Sequence, residues 1–172
     1  MNYVKTHQIF YKLCPMPTTY FETPLGQICI EGDADGIRAV TLLDDAPTET
    51  SDVPAELQAC VQQLQEYFAG QRTEFDLKLN PQGTDFQRKV WQSLFEVPFG
   101  KTRSYLAQSR SVSDEKAIRA VASANGKNPI GIIIPCHRIV GSDGSLTGYA
   151  GGLWRKKWLL DFERGNQQGE LF

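Results

Sequence analysis

The sequence predicts a mixed α/β (α+β) fold in two parts: a small β-sheet with one helix, then a mostly helical domain with a helix-turn-helix. Three observations carry this. Short β-like segments crowd the chain before Leu43, helical spacing dominates from Pro54 onward, and a chain break coincides with a change of charge near Gly83.

Thr18-Thr19-Tyr20-Phe21 and Gln27-Ile28-Cys29-Ile30 flank Pro24-Leu25-Gly26, which reads as a turn between two strands. Ile37 to Leu43, introduced by Asp35-Gly36, is a third strand. Asp44 to Asp52 is polar and irregular. Pro54 suits the first position of a helix. Leu57, Cys60, Val61, Leu64, Tyr67 and Phe68 follow at helical spacing, and Gly70 closes that helix. Phe75 to Leu79 alternates like a strand, and Asn80-Pro81-Gln82-Gly83 breaks the chain. The domain boundary is placed there, giving domains 1–82 and 83–165.

Thr84 with Gln87 forms a capping-box pattern. Phe86, Val90, Trp91, Leu94 and Phe95 then share one helical face, and Pro98-Phe99-Gly100 ends the helix. Ser104 to Arg110 is a short helix, and Ser113 caps a second from about Asp114 to Asn125. Two short helices with a tight break suggest a helix-turn-helix. The second carries Arg119 among Ala120, Ala122, Ser123, Ala124 and Gly126. That pattern fits either a small-faced ridge able to approach a nucleic acid closely or an alanine-rich helix buried in the core. Ile130 to Ile134, bounded by Pro129 and Pro135, reads as a buried strand that delivers Cys136 at its end. Gly141 to Gly144 is a turn, and Gly148-Tyr149-Ala150-Gly151-Gly152 a loop. Leu153 to Phe162 is a last amphipathic helix. From Gly165 the chain is polar and expected to fray, so 166–172 is set apart as a tail.

The net charge of −2 hides a segregation. Residues 1–82 hold 5 Lys and Arg against 12 Asp and Glu; residues 83–172 hold 13 against 8. A basic half joined to an acidic one points to a polyanionic partner. No apolar run approaches the roughly 20 residues of a membrane span. The stretch Met1 to Cys14 lacks the apolar core of a secretory signal. A cytoplasmic protein with no membrane partner is therefore expected. The four cysteines, Cys14, Cys29, Cys60 and Cys136, form no C-x-x-C pair, and the two histidines, His7 and His137, make no metal-ligand cluster with them. No metal is expected.

Cys136 stands in Ile134-Pro135-Cys136-His137-Arg138. A cysteine attacks as its thiolate, and a neighbouring base and positive charge assist that. His137 would need an acidic partner to fix its tautomer; Glu163 and Asp161 are the candidates. From these residues alone two readings stand, an activated nucleophile and an inert buried thiol.

Pro135-Cys136-His137-Arg138-Ile139 resembles the active-site signature of the O6-alkylguanine-DNA alkyltransferases, or methylated-DNA–protein-cysteine methyltransferases. Thr102-Arg103-Ser104-Tyr105, Ala117-Ile118-Arg119-Ala120-Val121, Ala124-Asn125-Gly126-Lys127-Asn128-Pro129, Gly148-Tyr149-Ala150-Gly151-Gly152, Lys156-Lys157-Trp158-Leu159-Leu160 and Glu163 resemble family motifs in order and spacing. Thr23-Pro24-Leu25-Gly26 and Tyr67-Phe68-Ala69-Gly70 extend the resemblance more weakly into the first half.

The resemblance implies a ribonuclease-H-like first domain and a winged-helix-like second. It implies a single-use DNA repair reaction, in which Cys136 takes the alkyl group from O6 of guanine or, less efficiently, O4 of thymine. His137 would be the base, through a water, oriented by Glu163; Tyr105 would give the guanine its proton. Asn128, Ile139, Tyr149, Ala150 and Lys156 would form or brace the base pocket. Arg119, Ala122, Ser123, Tyr105 and Arg138 would meet DNA, with Arg119 filling the gap left by a base flipped through the minor groove. The implied partner is double-stranded DNA carrying O6-alkylguanine or O4-alkylthymine, met by a monomer without a cofactor. Ala122 departs from the glycine of many relatives, and Ser109-Arg110-Ser111 from a more apolar stretch. Two other readings use the same residues: a Cys-His-Glu hydrolase or acyltransferase, and a non-enzymatic module that binds alkylated DNA.

Overall fold

The computed structural model of the chain describes residues 16–45 and 52–168, with backbone alone for 166–168. The readings made for Met1 to Cys14, for 46–51 and for 169–172 lie outside the described residues.

Strands β1 (Thr18–Thr23), β2 (Gly26–Asp33) and β3 (Gly36–Leu43) form one antiparallel sheet in sequence order. Thr23 pairs with Gly26 across the Pro24-Leu25 turn. Gly26 has φ +98°, and a Cβ there would lie 3.1 Å from the Leu43 carbonyl, so glycine suits the turn on both counts. Helix α1 (Ala55–Phe68) lays Leu57, Cys60, Val61, Leu64 and Tyr67 on the sheet's Phe21, Ile28, Ile30, Ile37 and Val40. Each large side chain so buried contributes about 1.5–3 kcal/mol. Gly70, at φ +73°, turns the chain away after Ala69.

Phe75 to Leu79 was expected to be a strand but makes only one bridge, Leu79 to Ile37 at the edge of β3. The reason is local. The Gln63 side chain accepts from the Asp76 N–H and donates to its carbonyl, both at 2.9 Å. A helix side chain thus replaces the missing strand partner.

Helix α2 (Asp85–Leu94) begins with the capping box read from Thr84 and Gln87, both halves of which form. Val90, Trp91 and Leu94 are buried, whereas Phe86 and Phe95 stay 37% and 46% exposed. We expect Thr84→Ala to lower stability by about 1 kcal/mol, read as a lower urea midpoint at unchanged slope.

The two-residue strand β4 (Arg103–Ser104) pairs in parallel with β5 (Ile139–Val140). Helix α3 (Tyr105–Val112) starts at Ser104, whose hydroxyl accepts from the Ala107 N–H. The next cap is Asp114 rather than Ser113: its carboxylate accepts from Lys116 and Ala117 N–H groups, and a short 3₁₀ turn, Glu115–Ala117, leads into α4 (Ile118–Gly126). The carboxylate offers the first turn a charged acceptor, which a serine lacks. Buried Gln108 and Asn125 exchange amide hydrogen bonds of 3.2 and 2.7 Å between α3 and α4. The Trp91 indole donates to the Ala124 carbonyl at 2.8 Å. Polar Ser109 and Ser111 also fit, donating to the Asp114 and Gln108 carbonyls. Helix α5 (Leu153–Gln168) packs Leu159 and Leu160 inward. It continues through Gln168, past the expected fraying point at Gly165; its backbone hydrogen bonds do not require an apolar face in the last turn.

Candidate active site

The isoleucine run before Cys136 is buried as expected, yet it is not a strand. The Val40 N–H donates to the Pro129 carbonyl and the Gly131 N–H to the Val40 carbonyl, both at 2.9 Å. After this single crossing of β3 the chain coils, with Ile133 N–H on the Gly131 carbonyl and Ile134 N–H on that of Ile130. Ile132 has φ +70°, an unusual conformation for a β-branched residue. Burial of Ile130, Ile132, Ile133 and Ile134 satisfies the hydrophobic pattern in either geometry. The coil ends in a 3₁₀ turn, Cys136–Arg138.

Asn128 braces this turn. Its amide donates to the Ile134 carbonyl at 2.8 Å and to Cys136 Sγ at 3.3 Å, and its oxygen accepts from the Ile130 N–H. Burial raises the Cys136 thiol above its ordinary value; the Asn128 hydrogen bond and the Lys156 charge pull it back only in part. The residue is therefore a neutral thiol at neutral pH. Cys60, by contrast, is pushed up to about 12 by burial alone, and Cys29, Cys60 and Cys136 are all free thiols.

Behind Cys136 lies a fully buried carboxylate. Glu163 Oε1 accepts from His137 Nε2 at 2.8 Å, the Tyr67 hydroxyl at 2.8 Å and Arg138 Nη2 at 3.0 Å. Its Oε2 accepts from Arg138 Nε at 2.9 Å and the Gly100 N–H at 3.0 Å. Burial opposes this charge, but the hydrogen bonds from His137 and Arg138 and the charge of Arg138 prevail and hold Glu163 well below the usual carboxylate range. Burial lowers His137, and the Glu163 hydrogen bond offsets this only partly. The imidazole is thus neutral at neutral pH. With an ionised carboxylate on Nε2, that nitrogen carries the hydrogen and Nδ1 the lone pair. Nδ1 is buried and has no protein hydrogen bond among the described residues.

On the other side of the thiol, Tyr105 donates to the Thr147 carbonyl at 2.9 Å. Lys156 Nζ donates to the same carbonyl at 2.9 Å and to that of Gly148 at 3.2 Å, and lies 3.4 Å from the Tyr105 hydroxyl. Desolvation pushes Lys156 down to about 8. Arg155 fixes the far end of the loop, donating to the Gly151 carbonyl, to the Leu25 carbonyl of the β1–β2 turn and to the Leu43 carbonyl of β3.

Cys136 opens into a cavity of about 480 Å³ whose walls include Tyr105, Arg119, Ala122, Tyr149 and Ala150. A second cavity of about 130 Å³ joins Cys136 to Asn128, Tyr149 and Ala150. Helix α4 buries Val121, Ala124 and Asn125 and exposes Arg119, Ala120 and Ser123. The small-faced ridge therefore points outward, with Arg119 at the cavity mouth.

The two cavities thus gather Cys136, Tyr105, Asn128, Tyr149, Ala150, Arg119 and Ala122, with Lys156 held beside Tyr105, while His137 and Glu163 form a buried pair that begins at the residue after Cys136 and lines neither cavity. Ile139 is buried in β5, and Ser123 lies on the exposed face of α4 without lining either cavity. Asp161, the other candidate acid, pairs with Lys157 on the surface. Arg138 is a correction: expected to meet DNA, it is 7% exposed, grips Glu163 and donates to the Val97 carbonyl at 2.8 Å. A buried carboxylate requires a paired charge, and this cation supplies it. Sequence reasoning missed the Tyr67 and Gly100 donors. Helical spacing and the resembling run Tyr67-Phe68-Ala69-Gly70 assign Tyr67 no partner, although a buried tyrosine hydroxyl generally seeks one. Among the described residues no helix is long and apolar enough to cross a membrane.

Two family models match most of the chain. The 6-O-methylguanine DNA methyltransferase ribonuclease-like domain matches residues 16–81, and the DNA binding domain of the same family matches 85–165. A methylated-DNA–protein-cysteine methyltransferase of Methanosarcina barkeri is 44% identical over 150 residues, 84% of this chain and 95% of the relative. The constitutive enzyme of that name from Bacillus subtilis is 43% identical over 156 residues, 85% and 94% of the two chains. Among solved structures, the Mycobacterium tuberculosis O6-methylguanine methyltransferase superposes with a TM-score of 0.79 at 39% identity, covering 88% of this chain and 94% of its own. The M. tuberculosis protein in complex with DNA gives 0.77 at 41% identity, over 86% and 92%.

Proposed function

The chain belongs to the 6-O-methylguanine DNA methyltransferase family, and on that premise we propose that it repairs alkylated duplex DNA by taking the alkyl group onto Cys136. The observation that carries this reading is the cavity that holds Cys136 together with Arg119 and Ala122 of the exposed small-faced helix. A thiol hydrolase would have no use for that helix beside its nucleophile. The complex of the M. tuberculosis relative with DNA supports DNA as the partner.

In this reading the damaged base leaves the stack and enters the cavity, since its O6 is out of reach inside a duplex. Arg119 takes the vacated place, and Ala122 and Ser123 allow α4 to sit close in the minor groove. Tyr149, the Ala150 N–H and the carbonyls of Cys136 and Ile139 hold the base, while Asn128 and Lys156 keep the surrounding turn and loop in place. Cys136 gives its proton, through a water, to His137 Nδ1. The thiolate then forms a sulfur–carbon bond as the carbon–O6 bond breaks, and Tyr105 protonates the departing guanine. Glu163 and Arg138 form a neutral buried pair, so the imidazolium that develops is stabilised by the nearer carboxylate. The thioether formed is stable, so each molecule acts once. O4-alkylthymine would enter the same cavity as a poorer substrate.

Incubation with duplex DNA carrying O6-methylguanine, followed by intact mass and peptide mapping, tests the reading. One methyl adduct per molecule on Cys136 is expected, none on Cys136→Ala, and equal DNA binding by both. Binding without an adduct would favour a recruiting module; turnover of a thioester without DNA affinity would replace the reading by a hydrolase.

A further inference from the structure

Tyr67 belongs to α1, in the half of the chain that contains neither Cys136 nor the helix-turn-helix. It is fully buried, and its hydroxyl is 2.8 Å from Glu163 Oε1, 96 residues away in sequence. Its ring is wedged between Phe68, Phe75, Phe99 and Phe162, with centroids 5.3, 5.5, 6.0 and 5.4 Å away. Such a cage leaves the hydroxyl little freedom. Burial and the facing carboxylate raise Tyr67 well above the usual phenol range, so it stays protonated and donates.

We propose that Tyr67 is a positioning residue for alkyl transfer: by donating to Glu163 Oε1 it competes with His137 for that oxygen and sets the basicity of the imidazole. The inference rests on the reading of His137 as the base. Three donors meet on Oε1, namely His137 Nε2, Tyr67 and Arg138 Nη2. A carboxylate oxygen serves two donors well. Each additional donor withdraws charge from the bond to His137, and a weaker bond favours the neutral ring. The charged and titratable groups facing these residues act in the same balance. Arg138 and Lys156 lower His137 and Glu163 raises it; Arg138 and Tyr149 also face Tyr67. The acidic half thereby tunes the base of the basic half through one hydroxyl.

Tyr67→Phe removes the donor and keeps the ring in its cage. Two readouts on the intact chain decide the matter: the ¹⁵N titration of the His137 ring, and the pH dependence of single-turnover methyl transfer from O6-methylguanine duplex. The His137 titration should move upward by on the order of 0.5–1 pH unit. The acid limb of the rate profile should move with it, while the high-pH plateau changes less than about twofold. Replacing Tyr67 by 3-fluorotyrosine preserves the shape, strengthens the donor and should move the titration down, a result available even if Tyr67→Phe unfolds. In a Glu163→Gln background Tyr67→Phe should leave His137 unmoved. An unchanged His137 titration in both Tyr67 variants overturns the proposal, as does a loss of rate equal at every pH. If the unaltered protein never alkylates Cys136, the repair reading fails, yet the titration still decides the role of Tyr67.

Discussion

Alanine in place of Glu163 should lower stability by about 3–5 kcal/mol and nearly abolish alkyl transfer. The stability loss follows from Arg138, which would remain buried with its charge uncompensated. The Tyr67 hydroxyl and Gly100 N–H would also lose their acceptor. The rate loss follows from His137: without the carboxylate on Nε2 the ring no longer keeps its lone pair on Nδ1. Positioned acid–base groups contribute typically about 10²–10⁴-fold. Urea unfolding and single-turnover transfer read the two effects separately. Stability should also change with pH in a definite direction. Glu163 is held below its unfolded value of about 4.3. Its contribution is therefore present above that pH and lost as pH falls toward the folded value. His137 is also lowered, from about 6.5. Its neutral buried form likewise favours folding above that pH and penalises it below. The unaltered protein should thus weaken in acid from about pH 6.5 downward, and Glu163→Ala should lack the part of that loss seen below about pH 4.3.

Arg119→Ala should slow transfer from duplex DNA by roughly 30- to 100-fold and change attack on the free base less than about twofold. Removing a base from the stack costs a few kcal/mol, and about 1.4 kcal/mol is tenfold in rate. The exposed guanidinium at the cavity mouth is placed to recover part of that cost inside the helix. The free base has no stack to leave, so its reaction should not register the change. Equal slowing of both substrates would overturn the finger role and leave Arg119 as a wall of the pocket.

Much of the site could be read in the chain because its signals are local. Cys136 and His137 are neighbours, and Arg119 lies on a helix whose small residues recur at helical spacing. Thr84 and Gln87 form their cap within one turn. The three strands and α1 were equally readable, since alternation and 3.6-residue spacing report directly on which face is buried. Where sequence reading erred, two geometries satisfied the same pattern. The isoleucines before Cys136 are buried whether the chain runs straight or coils, and Asn128 with Val40 chooses the coil. Phe75 to Leu79 alternates, but Gln63 takes the hydrogen bonds a strand would have used.

By itself the sequence determined the three strands, the capping box of α2 and the helix that carries Arg119, because short-range sterics, capping and periodicity act within a few residues. Tertiary structure alone decided the electrostatics around Glu163. It turned Arg138 inward and brought Tyr67 across 96 positions to the Glu163 carboxylate. A buried charge must collect its partners from whatever elements the fold packs around it, and no local pattern encodes which those will be.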